Sequence, residues 1–219
     1  MKLICIIGLL VISSGLSAQE GFQLSFSTGP SINWLSAGKN EIAGGSIRTG
    51  YDFGLVADVF FDDRQRYAFT TGLLLTNTGG ELEYNNATSF GFAGETIPPQ
   101  SSIRFHLKYL EVPLAIKLKT SQFRRCTYWG QFGLSGFVNV GAKGDTGDDV
   151  LDKSDIQDEI RAFNVAMNIG AGFDFDLGSG NALAAGLIFR DGLTDVTKEH
   201  YEDGKITVNS VVLKLALIF

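Results

Sequence analysis

Few residues in this chain are equipped for covalent chemistry. A hydrolytic site needs a nucleophile and a base within hydrogen-bond reach of each other, and the histidines are His106 and His200. Neither has a serine two residues on: His106 is followed by Lys108, and His200 sits in a polar loop. The cysteines are Cys5 and Cys126, too few for a zinc site. The acidic run Asp145, Asp148, Asp149, Asp152, Asp155, Asp158 and Glu159 does not follow the Asp-x-Asp-x-Asp-Gly spacing of a calcium loop, so it reads as a solvated surface loop. Gly44-Gly45 and Gly79-Gly80 lack the strand-to-helix setting of a phosphate cradle and read as turns. No metal or cofactor is implied.

What remains is a set of charges embedded in apolar sequence. Asp52, Asp58, Glu111, Asp174 and Asp176 face Lys117, Lys119, Arg190 and Lys214 in sign, and most of them sit between hydrophobic neighbours. Such residues can pair with one another, or they can line a path for protons or ions. Which of these applies depends on the elements that carry them.

Those elements alternate. Side chains point to opposite faces along a strand, and in Phe163 to Leu177 the odd positions Phe163, Val165, Met167, Ile169, Ala171, Phe173, Phe175 and Leu177 are all apolar. The even positions carry Asn164, Asn168, Asp174, Asp176, alanine and glycine. Tyr51 to Phe61 and Ser210 to Phe219 pass the same test, with Asp52, Asp58 and Lys214 on the second face. Compatible segments run Phe22 to Trp34, Tyr67 to Leu82, Arg104 to Lys119, Tyr128 to Gly141 and Ala182 to Asp191. That makes eight, an even number, as bacterial single-chain barrels have. An apolar face free of charge suits lipid, where one Lys or Arg at mid-membrane costs roughly 2–4 kcal/mol. The soluble rival, a lipocalin-like barrel or a sandwich, would turn that face inward.

The rest of the chain agrees with a membrane barrel. Lys2, the apolar run Leu3 to Ile12 and the small residues around Ser17 and Ala18 form a signal peptide over 1–18, leaving 19–219 as one barrel domain. The apolar run is shorter than the roughly 20 residues of a membrane-spanning helix. Phe is abundant at 17 and Gly at 27, Pro is scarce at 4, and the net charge of −6 argues against nucleic acid as a partner. Connections alternate long and short: Leu35 to Thr49, Asp62 to Arg66, Glu83 to Ile103, Thr120 to Thr127, Ala142 to Ile160, Gly178 to Asn181, Gly192 to Lys205. Short turns face the periplasm and long loops the exterior, which puts both termini in the periplasm. Outer-membrane lipid is then a partner. Terminal Phe219, after alternating apolar residues, looks like the signal read by the outer-membrane assembly machinery.

One segment breaks the pattern. Apolar residues stand at Phe105, Leu107 and Tyr109, then change parity to Leu110, Val112, Leu114, Ile116 and Leu118, with Pro113 inside the run. A β-bulge near Tyr109 to Pro113 would restore phase. Equally, the segment could project above the membrane, with Arg104, His106 and Lys108 in outside water.

The same segment carries a resemblance. Tyr109-Leu110-Glu111-Val112-Pro113-Leu114 with Lys117, then Gly170-Ala171-Gly172-Phe173, then Gly192-Leu193-Thr194-Asp195, resembles the PorT family of outer-membrane β-barrels from Bacteroidetes over essentially the whole mature chain. The resemblance implies a barrel in the outer membrane. Its founding member is associated with type IX secretion, which implies secretion-system components as partners.

The expected architecture is therefore all-β, an eight-stranded antiparallel transmembrane barrel. Side chains largely fill so narrow a lumen, so its charges must pair or keep water. Glu111 with Lys117 or Arg190 is the first pairing to test. Three classes of function follow: a structural or interaction barrel, a narrow pore, and, with no His-x-Ser-Asn pattern of the lipid A deacylase kind, least of all a lipid-modifying enzyme.

Overall fold

Strict alternation over long segments forces extended chain, and the only way to leave no strand edge unpaired in lipid is to close the sheet. A computed structural model describes residues 21–38, 42–85, 89–146, 152–198 and 205–219. The signal peptide expected over 1–18, His200, Asp148 and Asp149 lie outside the described residues. The strands in chain order are β1 (Phe22–Ala37), β2 (Ile42–Gly44), β3 (Arg48–Phe60), β4 (Tyr67–Tyr84), β5 (Phe90–Phe92), β6 (Glu95–Ile97), β7 (Ser102–Lys119), β8 (Cys126–Thr146), β9 (Ser154–Asp155), β10 (Phe163–Gly178), β11 (Asn181–Gly192) and β12 (Ile206–Ile218). Eight are long, and each pairs antiparallel with its neighbours in the order β1, β3, β4, β7, β8, β10, β11, β12. Closure comes from β12 against β1, Ser25 opposite Ile218 through Ala37 opposite Ile206.

The short connections lie at one end. Between β10 and β11 only Ser179 and Gly180 intervene, both at positive φ (58° and 82°), which matches the right-handed twist of a two-residue hairpin. The long connections at the other end carry the β5–β6 hairpin, β9 and a single 3-10 turn at Gln157–Glu159.

Membrane thickness explains the strand lengths. A tilted strand crosses with about 9–11 residues, but β4, β7 and β8 have 18, 18 and 21. Their surplus rises above the membrane on the loop side, and there polarity inverts. On β7 the outward residues are Leu110, Val112, Leu114, Ile116 and Leu118 within lipid, and Arg104, His106 and Lys108 above it. Inward residues are Glu111, Pro113, Ala115 and Lys117 below and Ile103, Phe105, Leu107 and Tyr109 above. The parity of β7 never changes; the solvent does. The projecting alternative is the one the structure adopts.

A bulge exists, but on the neighbouring strand. Lys108 faces Gly141 and Tyr109 faces Asn139, so Val140 of β8 has no counterpart. This extra residue lets β8 change phase at the boundary: Ser135, Phe137 and Asn139 point inward below it, Ala142, Gly144 and Thr146 above it. Without the bulge, Lys143 and Asp145 would face the apolar interior. Pro113 is accommodated by a gap in the ladder, since Gly72 and Leu73 of β4 have no partner on β7.

The two glycines read as a turn at Gly79-Gly80 lie instead inside β4. Gly79 has φ +140°, and a Cβ there would run into the carbonyl oxygen of Phe105. Close backbone approach, and not chain reversal, is what requires glycine.

Candidate functional site: the charged lumen

The even positions of β3, β10, β11 and β12 and the odd positions of β7 all face the lumen, which brings together charges separated by up to 138 residues. Arg190 is at the centre. Its Nη2 lies 2.9 Å from Oδ2 of Asp52 and 3.0 Å from Oε2 of Glu111, so strands β3, β7 and β11 are tied across the barrel. Glu111 also accepts hydrogen bonds from Thr76 Oγ1 and Ser135 Oγ, each at 2.9 Å. Asn168 Nδ2 donates to Ser135 Oγ at 3.0 Å, which extends the network to β10.

A second cluster lies nearer the periplasmic turns. Lys117 Nζ donates to Asp58 Oδ2 at 2.7 Å, and Thr70 Oγ1 donates to Asp58 Oδ1 at 2.6 Å. Lys119 Nζ is 2.7 Å from Asp174 Oδ2 and 3.3 Å from Gln23 Oε1. Lys214 makes no direct ion pair among the described residues, although Asp58, Asp174 and Asp52 all act on it electrostatically. Its Nζ lies 5.4 Å from the centroid of Trp129, and Lys117 Nζ lies 5.1 Å from the same ring. The indole edge rests on Gly172 and Gly186, where a Cβ on either would come within 2.5 Å of Cζ2. Two ammonium groups on one indole place an aromatic quadrupole where a carboxylate would otherwise be needed.

Of the charges marked in the sequence, Asp52, Asp58, Glu111, Asp174, Lys117, Arg190 and Lys214 are buried. With Lys119, four acids meet four bases, so the lumen is neutral. An ion stripped of water without a partner costs several kcal/mol, of order 3–5 when one partner of a buried pair is removed, and neutrality within the set avoids that cost. Of the two partners considered for Glu111, Arg190 is the one that meets it; Lys117 lies six residues further down β7, level with Asp58. One detail differs from expectation: Asp176 is at the rim and not in the lumen network, and Gly178 N and Gln122 Nε2 donate to it at 2.7 and 3.2 Å.

Trp129, Thr70, Thr76 and Ser135 join the network without any mark in the sequence that singles them out. The available signal was parity alone: each stands at a lumen-facing position of its strand. Neutral hydroxyls and amides carry no mark that separates a ligand of Glu111 from a filler.

Two cavities of about 30 Å³ flank Arg190, each room for a water or two. The one on the periplasmic side is lined by Gln131, Asn168, Arg190 and Lys214. His106 points outward above the lipid band, away from the lumen. Among the described residues, no group of three or more His, Cys, Asp or Glu is placed to hold a metal ion. Phe219 follows directly after β12, half exposed, its N–H donating to the Leu24 carbonyl at 3.0 Å.

A closed antiparallel barrel with a charge-free apolar exterior and a polar interior defines an integral protein of the bacterial outer membrane. The family model described as "Outer membrane protein beta-barrel domain" matches residues 17–198, and the chain belongs to that family. Among solved structures it is similar to Neisserial surface protein A, NspA, at 13% identity over 91% of this chain and 98% of that one, TM-score 0.47. It is likewise similar to OprG from Pseudomonas aeruginosa, at 12% identity over 92% and 97%, TM-score 0.49. A third is Ail, the attachment invasion locus protein of Yersinia pestis, at 13% identity over 92% and 100%, TM-score 0.41. No curated protein matches the chain.

Proposed function

We propose that this is a non-enzymatic barrel whose lumen is a salt-bridge plug and whose work is done through the face it presents outside the cell. The observation that carries the reading is Arg190, clamped between Asp52 and Glu111 at 2.9 and 3.0 Å in the middle of the lumen. The PorT-like residues include Glu111, and that resemblance supports a role in protein secretion or surface assembly, with secretion components as partners. In the same reading Phe219 is the signal by which the assembly machinery takes up the chain.

Planar-bilayer recording tests the plug: the purified barrel is expected to show no stable single-channel steps. Reproducible steps would favour the second reading, a narrow pore for small solutes, to which the two water-sized cavities beside Arg190 lend support. The secretion role is tested separately by a deletion strain, where normal export of surface proteins would count against it.

A further inference from the structure

The outward face just above the lipid band is basic on one side of the barrel, and we infer that it binds the phosphate-bearing headgroup of an outer-leaflet glycolipid. Antiparallel pairing sets the residues in rows. The row nearest lipid is Asn77, Lys108 and Gly141; the next is Gly79, His106 and Lys143; the third is Glu81, Arg104 and Asp145. On these three strands acid is absent from the first two rows and enters from the third, where Glu81 holds Arg104 at 3.3 Å. Two further acids border the rows: Glu83 stands one row higher on β4, and Asp155 stands opposite Lys143 on β9. Arg48 starts from an inward-facing position at the outer end of β3, opposite the buried Asn33, and only its guanidinium reaches toward the strip. Its guanidinium donates to the Thr78 carbonyl beside Gly79, whose missing side chain leaves it space, and together with Arg104, Asp145 and Lys153 it acts on His106. Among the described residues, Arg48, Lys108 and Lys143 have no ion-pair partner.

Position decides the occupant. Lys108 is two residues above Leu110, the last lipid-facing side chain of β7, which is a rise of about 7 Å along the strand and less along the membrane normal because strands tilt. The headgroup zone is about 5–8 Å deep on each side of the hydrocarbon core, so Lys108 lies within it. In a chain of net charge −6 this strip is not a consequence of composition. Elsewhere on the barrel the outward residue above Phe189 of β11 is acidic, Asp191, so the cationic strip belongs to one side. Lys and Arg at a membrane surface attract anionic lipid, and phosphate oxygens are their natural acceptors.

The test uses the purified barrel in phosphatidylcholine nanodiscs containing either bisphosphorylated lipid A or the same lipid stripped of its phosphates, with retained lipid measured by mass spectrometry. A preference of roughly tenfold or more for the phosphorylated form is expected. It should collapse in the triple variant Arg48→Gln, Lys108→Gln, Lys143→Gln and weaken as salt rises. Equal retention of the two lipids, or a preference unchanged in the variant, overturns the inference. Inorganic phosphate is expected not to displace the lipid; displacement at comparable concentration would assign the site to soluble phosphate and overturn the lipid reading. If the triple variant lacks heat-modifiable gel mobility, Lys108→Gln alone, an exposed side chain without a partner, is expected to reduce the preference several-fold, and no reduction would count against it. None of these outcomes depends on whether the lumen conducts.

Discussion

The lipid-embedded half and the outer extension of the barrel are built from the same strands with opposite polarity. Inside the membrane the core is Asp52, Asp58, Glu111, Lys117, Arg190 and Lys214, and the exterior is Phe, Leu, Val and Ile. Above it the core is Leu35, Leu82, Tyr84, Phe92, Ile97, Ile103, Phe105, Leu107, Ile156 and Ile206, and the exterior carries Arg104, His106, Lys108 and Lys143. Backbone pairing is continuous through both, so the hydrogen-bond ladder cannot be what distinguishes them. Each half hides what its surroundings will not dissolve. In lipid that is charge, held together by Coulomb attraction between matched ions; in water it is apolar surface, held together by the hydrophobic effect. The unmatched residue Val140 lies at the join, where the two phases of β8 meet.

The sharpest way to break the comparison is to remove the central residue of each core. Arg190→Ala leaves Asp52 and Glu111 buried without a cation and is expected to cost about 3–5 kcal/mol, read as a lower urea midpoint for unfolding from lipid vesicles. Phe105→Ala removes a ring packed edge-on against Phe92 at 6.0 Å and should also cost about 3–5 kcal/mol, but locally. Hydrogen exchange should speed up in the outer ends of β4, β7 and β8 while the lipid-embedded amides stay protected. Uniform loss of protection in both variants would show that the halves are one cooperative unit.

A smaller effect separates the two exteriors. Leu114→Arg places a charge on the lipid face and should cost roughly 2–4 kcal/mol, whereas His106→Arg, eight residues up the same strand and on the same side of it, should cost about 0–1 kcal/mol. Equal costs would put the membrane boundary in the wrong place.

The smallest effect lies in the periplasmic turn. Slight desolvation pushes the Asp62 carboxyl up, but the N–H groups of Tyr67 and Arg66 donate to it at 2.8 and 2.7 Å and hold it below its ordinary value. A depressed carboxylate contributes stability that is present above its unfolded pKa of about 4 and is lost as pH falls through the lower folded value. Asp62→Asn should therefore lower stability at neutral pH, with the deficit shrinking as pH falls below about 4, so that stability varies less with pH there. A deficit that persists undiminished well below about pH 4 would refute this assignment.

Much of the barrel was legible because lipid enforces a rule that residue types display directly. The lipid faces of β3, β10 and β12 follow from parity alone, since a single charge there is prohibitive. The ends were less legible. β8 reads from sequence as stopping at Gly141, because the bulge at Val140 shifts its phase and breaks the alternation; it continues to Thr146. In the lumen, the charged members could be named from parity. Thr70, Thr76, Ser135 and Trp129 could not, because a hydroxyl or an indole is unremarkable until its partner is seen across the barrel.

Sequence by itself determined the alternation, the number of long strands and the set of ions that must share an interior, because these depend on residues one or two apart. Tertiary structure decided which ion meets which. Arg190 reaches Asp52 and Glu111, and Lys117 reaches Asp58, only because closure and register set the height of every strand relative to strands far away in the chain, and Coulomb attraction between buried ions acts over a few ångströms of space irrespective of sequence distance.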